Sequence, residues 1–532
     1  MSVPRLNIQT AAFRFLTASL IGLMLYACGD ENPKTNTGLA MIDIDFNNRI
    51  ENTGMAGVDI EAPEADFDRG IKDSCLNLTG TSNKREPVII SCNEDINLTE
   101  YREFTVELWV KKTANDDERY VMAASKKRLN DKITGWEMAT SCNGSWTWSL
   151  SDGSTSWNYS PTDLQQNLND NKWHQLAFSV SSKKNEARIY FDGRNRAVYS
   201  LANLQKSCLG NNYYIGSDPL SIDLQMEAFN GLIDNFKLWA RALDDNDIAH
   251  SYFTKTGKNI PDAPQPEDKV SVMTWNIWHG GRHFGKRVGV DRIIDIIKKA
   301  KPDIVILQDT EHSGEKIADG LGYYLFSRSK GLSVISKYPY GDSYDIYKPE
   351  TFGCVSVKTG DDKEVFICPV MLESKPNIGA YVMTGKAIPD TIIEREMETR
   401  GLQMRFILGE LSSFTLNRNS TLILGGDFNS GSHLDWTEKN KENHNGIAVE
   451  LPVSKMLEQE NFKDSYRIVN PDETESPGIT WSPVFRNTLQ DRIDFIYVKG
   501  NALTPVSSHV INSYDYDFPS SHAALITVFS LK

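Results

Sequence analysis

Val270-Ser-Val-Met-Thr-Trp-Asn276 is an apolar run that stops on a carboxamide, and the same design recurs downstream. Ile304-Val-Ile-Leu307 leads through Gln308 to Asp309, and Thr421-Leu-Ile-Leu424 leads through two glycines to Asp427 and Asn429. Two further runs begin on the polar residue, Asp494 in Asp491-Arg-Ile-Asp-Phe495 and His522 ahead of Ala524-Leu-Ile-Thr-Val-Phe529. Short apolar runs of this kind read as buried strands. Between the first two, Val290, Ile293, Ile294 and Ile297 share one helical face, and Thr391-x-x-Glu394 reads as a capping box that opens another helix. Strands alternating with covering helices predict a layered α/β fold over residues 269–532. Strand ends gather sequence-distant side chains on one rim, and carboxylates, carboxamides and a histidine gathered there suit a hard divalent cation and phosphate chemistry.

The ordered motifs TWNIWHGG (274–281), PDIVILQD (302–309), GLSVISKYP (331–339), GGDFN (425–429), DRIDF (491–495) and SSH (520–522) resemble the endonuclease/exonuclease/phosphatase superfamily, over essentially residues 270–530. The resemblance implies that Asn276 and Asp309 bind Mg²⁺ or Mn²⁺, that Asp427 activates or orients the attacking water, and that Asn429 holds a non-bridging phosphate oxygen. It also implies that Asp494 orients His522, which stabilises charge on the phosphate. The expected activity is metal-dependent hydrolysis of a phosphodiester or phosphomonoester. Three positions depart from the family pattern. Asp309 replaces its glutamate, with Glu311 able to substitute if the strand continues; Met371 stands where a histidine is common; Ser521 replaces the aspartate of Ser-Asp-His. They open a second reading, a weakened or inactive surface protein that binds glycans or phosphorylated ligands. Taken singly, Asp427-Phe-Asn429 also reads as an Asx turn, Asp494 as a partner of Arg492 or Arg486, and His522 as a buried structural histidine. Trp275, Trp278, His279, Trp436 and Trp481 flank the motifs and either wall a cleft for a small or lipid-headgroup phosphate ester or fill the core.

Upstream, Ile260-Pro-Asp-Ala-Pro-Gln-Pro266 marks a proline-rich linker over 258–268, and the two domains are expected to fold independently across it. Residues 40–257 carry short strand patterns between turns and no long amphipathic helix, which predicts an all-β sandwich. Phe104-Thr-Val-Glu-Leu-Trp-Val110 and Ala187-Arg-Ile-Tyr-Phe191, the latter closed by Asp192-Gly193, are the clearest strands. With NKWHQLAFSV, YYIGSD and NGLIDNFKLWARALDDNDIAHSY they resemble a laminin-G/concanavalin A-like jelly roll, a fold that hosts lectins, enzymes and spacers alike. Trp136, Trp146, Trp148 and Trp157 could stack on a glycan or pack as core.

Arg5 and Arg14 precede an apolar run, Phe15 to Tyr26, and Leu25-Tyr-Ala-Cys28 resembles a bacterial lipobox. Residues 1–28 therefore read as a signal peptide and 29–39 as a tether, like those of Bacteroidetes surface lipoproteins. The chain is expected to be extracytoplasmic and lipid-anchored to a bacterial membrane, most naturally the outer one. An ordinary secretory peptide is the alternative. No later stretch approaches the about 20 apolar residues of a membrane-spanning helix. Of seven cysteines, lipidation of Cys28 would leave six. Cys354 and Cys368 flank the turn residues 359–362 symmetrically, so a hairpin would set them opposite one another, as a disulfide or as two buried thiols. A length of 532 residues, 40% hydrophobic and 24% charged, fits two folded domains, and a net charge of −14 disfavours nucleic acid as the partner.

Overall fold

The computed structural model describes residues 38–532 apart from 63–64, 80–86, 94–101, 114–117, 205–207, 221–228, 286, 361–362 and 416–419. The expected signal peptide, Cys28 and nearly all of the tether lie outside the described residues, as do Asp361 and Asp362 of the expected hairpin turn. No helix among the described residues is long and apolar enough to cross a membrane.

In the C-terminal region two sheets lie face to face. The first runs in the order Leu503–Ile511, Ala524–Leu531, Lys269–Asn276, Ile304–Gln308, Leu332–Ser336, Tyr324–Ser327. The second runs Tyr340–Tyr344, Cys354–Gly360, Lys363–Met371, Thr421–Asp427, Asp494–Lys499, Lys463–Asp464. Side chains alternate across a strand. Val272, Ile304 and Ile306 therefore face the second sheet and pack with Val355, Ile367, Ile423 and Ile496. Met273, Val305 and Leu307 face the other way, onto Val290, Ile293, Ile297 and Ile317 of the helices Val288–Ala300 and Gly314–Leu321. The second sheet is covered in the same manner by Arg400–Thr415 and Pro452–Gln459, through Met404, Ile407, Leu411 and Leu457. Burial on both faces is why these strands read as unbroken apolar runs rather than as alternating ones.

Two expectations need correction here. The helix near Thr391 begins earlier, at Pro389, with Ile388 as N-cap and proline in its first turn, so Thr391 is not a cap. The strand before Asp309 ends at Gln308, and Asp309, Glu311 and His312 all have positive φ, so Glu311 does not extend it. The hairpin of Cys354–Gly360 and Lys363–Met371 does bring Cys354 opposite Cys368, and the two form a disulfide with a Cα–Cα distance of 4.2 Å. Among the described residues, Cys75, Cys92 and Cys142 form no disulfide.

The N-terminal domain is a sandwich of two antiparallel sheets. Phe104–Lys112, His174–Ser181, Glu186–Phe191 and Gly231–Trp239 belong to one, and Val121–Leu129, Lys132–Thr140, Trp146–Asp152 and Asn212–Ile215 to the other. Between them, Val106, Phe178 and Ile189 meet Trp136, Met138 and Trp148. Trp136, Trp146 and Trp148 are each at most 1% exposed, so they are core and present no face to a glycan; of the four, Trp157 alone is partly exposed. Residues 258–267 form neither helix nor strand.

The two domains are not separate bodies joined by that linker, as the proline-rich composition suggests. Arg194–Ser200 of the sandwich pairs in parallel with Tyr324–Ser327, Val198 opposite Phe326, so one continuous 14-stranded sheet crosses the boundary. Arg328 donates to Ser200 Oγ at 2.7 Å, Gln166 to Asp319 at 2.8 Å and Ser343 to Glu186 at 2.7 Å, while Lys184 pairs with Asp342 at 2.8 Å.

Candidate active site

The register of the C-terminal sheets sets the rim. Asn276 lies opposite Gln308 in a parallel pair, Met371 opposite Asp427 in another, and Asp427 opposite Asp494 in an antiparallel one. Asn276 ends one strand, Asp427 ends a second, and Asp494 starts a third that runs the other way, so all three project at the same edge. The glycines before Asp427 are required for this approach. A Cβ on Gly426 would overlap the carbonyl oxygen of Val370 in the neighbouring strand.

At the centre is a buried Asp494–His522–Asp427 group. His522 Nδ1 lies 2.9 Å from Asp494 Oδ2, and His522 Nε2 lies 3.8 Å from Asp427 Oδ2. Asp427 is held at both oxygens: Asn276 Nδ2 donates to Oδ2 at 3.0 Å and the Asn429 amide to Oδ1 at 2.9 Å. That second bond is the Asx turn expected from Asp427-Phe-Asn429, so the local motif and the site are one arrangement. The Asn429 side chain donates to the Leu372 carbonyl at 3.0 Å through one N–H of its Nδ2, and a primary amide carries a second N–H donor. Arg492 is not available to Asp494, because it pairs with Asp435 and Asp464, each at 2.7 Å. Asp494 is left to the histidine, and its Oδ1 is buried with no hydrogen-bond partner among the described residues.

The electrostatics follow from two carboxylates and one imidazole enclosed together. Burial pushes Asp427 above the ordinary carboxylate range, with His522 opposing and Asp494 reinforcing the shift. Burial works against the charged form of His522, but Asp494, then Asp427 and Asp309, outweigh it and raise the imidazole to about 9. At neutral pH the ring is therefore a cation.

Asp309 is placed differently from the others. Its Oδ2 accepts the His279 amide at 2.7 Å, and His279 Nδ1 lies 3.8 Å from Asp309 and 3.5 Å from Glu311. These three residues form a second, more exposed group whose ligand atoms lie close enough to hold a metal ion, beside the buried group of Asp427, Asp494 and His522. The donor set fits a divalent cation. The more exposed group offers two carboxylates and an imidazole, and the buried group, two carboxylates against one imidazolium, adds net negative charge near Asp309.

Of the flanking rings, Trp275 and Trp436 are buried, donating to the His522 carbonyl at 2.8 Å and to Asp491 at 3.1 Å. Trp278 and Trp481 are partly exposed and belong to a ring series that ends on His522: Trp278 meets Phe485 at 5.6 Å between centroids, Phe485 meets Trp481 at 5.7 Å, and Trp481 sits edge-on to His522 at 4.9 Å. Three further supports lie outside the site residues that the motifs single out. Thr480 Oγ1 accepts the Asp494 amide at 3.1 Å, Ser520 Oγ donates to the Asn276 carbonyl at 2.6 Å, and Phe485 completes the ring series. Thr480 and Phe485 bracket Trp481, which was the one available signal. Ser521 is 1% exposed and its carbonyl accepts from Ser482 at 2.7 Å, while Met371 is half-buried next to the Asp427 strand end.

Residues 273–522 match the Endonuclease/Exonuclease/phosphatase family. The C-terminal domain is a phosphoesterase-family domain of that kind. Residues 90–249 match the concanavalin A-like lectin/glucanases superfamily, so the sandwich ahead of the phosphoesterase-family domain is a concanavalin A-like one. An uncharacterized protein of Caenorhabditis elegans is 28% identical over 297 residues, which is 49% of this chain and 91% of that protein. An AP endonuclease from Archaeoglobus fulgidus is similar at 18% identity and a TM-score of 0.36, covering 49% of this chain and 99% of the other. The binding domain of Paraclostridial Mosquitocidal Protein 1 is similar at 16% identity and a TM-score of 0.34; the match spans 46% of this chain and 60% of that domain.

Proposed function

We propose that the phosphoesterase-family domain hydrolyses a phosphate ester with water, in the presence of Mg²⁺ or Mn²⁺. The observation that carries this reading is the enclosed Asp494–His522–Asp427 group, with Asn276 and Asn429 fixing Asp427 at both oxygens. Asn276 and Asp309 would hold the cation, which when bound polarises the phosphoryl oxygen and lowers the pKa of an attacking water. The remaining work falls to the chain's own groups. Asp427, immobilised by two donors, orients the water and accepts its proton. His522, held cationic by Asp494, places an N–H and a positive charge where negative charge develops on the phosphoryl oxygens. Asn429 offers its amide to a non-bridging oxygen.

The Trp278, Phe485 and Trp481 rings favour a small or lipid-headgroup ester with an apolar or ring-bearing portion, and a net charge of −14 makes long nucleic acid the weaker choice. With the arginine-flanked apolar run and Leu25-Tyr-Ala-Cys28, we place this activity outside the cytoplasm on a lipid-anchored chain. Ser521 and Met371 support a second reading, a cleft that binds phosphorylated ligands without turning them over. Hydrolysis of bis-p-nitrophenyl phosphate decides between them. The wild-type chain should show metal-dependent turnover that falls on the order of 10²-fold or more in Asp427→Ala and in His522→Ala. Equal rates in all three proteins would remove these residues from the site, and absence of turnover with metal binding intact would leave the binding reading.

A further inference from the structure

Where the shared sheet crosses from one domain to the other, it leaves a cavity of about 130 Å³ that neither domain encloses alone. Trp157, Tyr199 and Asn203 line it from the sandwich, and Thr310, His312 and Glu315 from the phosphoesterase-family domain. Glu315 is the anomaly. It lies in the first turn of Gly314–Leu321, is 7% exposed, and meets no partner side chain among the described residues; its own backbone N–H is the donor beside it. Burial pushes its carboxyl up to about 7, so near neutral pH it can donate as well as accept. A buried carboxyl costs free energy unless something satisfies it.

The other polar groups narrow the choice of ligand. Arg328 borders the cavity, yet its guanidinium is consumed by the Phe352 carbonyl at 2.8 Å, Ser200 at 2.7 Å, the Tyr347 carbonyl at 3.0 Å and Asp345 at 2.7 Å. With that cation occupied, Lys330 exposed to solvent, burial disfavouring the charged form of His312, and the Glu315 carboxyl in the lining, an anion is disfavoured. Trp157 N–H is likewise spent, on the Ser200 carbonyl at 3.0 Å, and Tyr199 O–H on Asn158 at 2.9 Å, so both offer ring surface rather than donors. A carboxyl that exchanges hydrogen bonds, an amide and hydroxyls nearby, and aromatic surface together suit a neutral ring bearing several hydroxyls.

We propose that this seam cavity binds a single neutral sugar ring, with Glu315 bonding its hydroxyls and Trp157 covering its C–H face. The site is separate from the buried Asp494–His522–Asp427 group and does not depend on the hydrolytic reading. The test uses the full chain and glucose, galactose, mannose and N-acetylglucosamine as probes, each at millimolar concentration, by saturation-transfer NMR and titration. At least one sugar should bind saturably. Glu315→Leu should weaken it tenfold or more and Trp157→Phe several-fold, with unchanged melting temperatures. Glu315→Gln, which keeps the shape, should weaken it less and guards against misfolding of the leucine variant. Asp427→Ala should bind sugar as the wild type does, so loss of catalysis and loss of this site are told apart. The proposal is overturned if none of the four sugars binds, if binding survives in Glu315→Leu, or if inorganic phosphate competes for the cavity, which would assign it to an anion at Lys330 and His312.

Discussion

Replacing Asp494 by Asn removes one negative charge from a ring contact of 2.9 Å while keeping the side chain's shape. Holding the His522 imidazole at about 9 against an ordinary 6.5 corresponds to about 3 kcal/mol in favour of the cation. Asp494 is the largest contributor in that direction, and burial alone acts the other way. With the charge gone, burial should prevail, Asp427 being 3.8 Å from the far ring nitrogen. The His522 pKa should therefore drop below neutral, and the ring should be uncharged at pH 7.5. Two measurements follow. Nitrogen-detected NMR titration of the metal-free protein should show the drop directly. The pH profile of kcat/KM for bis-p-nitrophenyl phosphate should lose activity near neutrality and regain part of it in acid. There is also a stability signature. A folded-state pKa above the unfolded value stabilises the fold fully below about 6.5 and loses that contribution as pH rises through about 9. Wild type should lose stability across this window, and Asp494→Asn should not. A His522 pKa that stays near 9 in the variant would refute the assignment of Asp494 as the group that sets the ring's charge.

Three other outcomes are expected. Mutating Cys354 and Cys368 together to Ser opens a loop of sequence separation 14 and should cost about 3 kcal/mol, read from the urea midpoint; no change would mean the disulfide leaves the unfolded chain unconstrained. Gly426→Ala should cost about 1–3 kcal/mol or fail to yield folded protein, since Cβ would meet the Val370 carbonyl, and a calorimetric melt at the wild-type temperature would contradict the required closeness of the two strands. Ser521→Asp adds a carboxylate beside His522 and should tighten Mg²⁺ or Mn²⁺ binding by isothermal titration, more so with Asp309→Glu, and not additively if both touch one ion; a variant that folds normally and binds metal no better would place position 521 away from it.

The layered C-terminal fold was legible because Val272, Ile304 and Ile423 belong to strands buried on both faces, which read as apolar runs too short for helices and alternate with amphipathic helical segments. Asn276, Asp427 and Asp494 were legible for the same reason: each is the first polar residue at the end of such a run, and ends of neighbouring strands must meet. His522 followed from lying just outside Ala524–Leu531. What escaped reading has no local cause. Asp309 sits at positive φ, a conformation that nothing in Gln308-Asp-Thr310 announces, and it turns toward His279 instead of continuing the strand. Proline at Pro389 outranked the capping box at Thr391, because a preset φ nucleates the turn ahead of the cap. Trp136, Trp146 and Trp148 sit among serines and glycines, which hid that their own alternation points inward. The pairing of Ala197, Val198 and Tyr199 with Leu325, Phe326 and Ser327 joins distant segments with no turn between them, so no pattern within either segment could have revealed it.

That pairing changes what cutting the chain at its proline-rich segment would do. A sheet that ends in an unpaired strand presents a row of free amides and carbonyls to any other chain, and proteins avoid leaving such rows bare. Tyr324–Ser327 is apolar, with Leu325 and Phe326 each at 1% exposure, and Arg194–Ser200 is what closes it. Residues 268–532 produced alone would expose that row and should self-associate, whereas the whole chain should unfold in one transition. The concanavalin A-like domain thus acts as a built-in guard against aggregation for its neighbour, and the prolines between them bridge two halves of one folding unit without serving as a hinge.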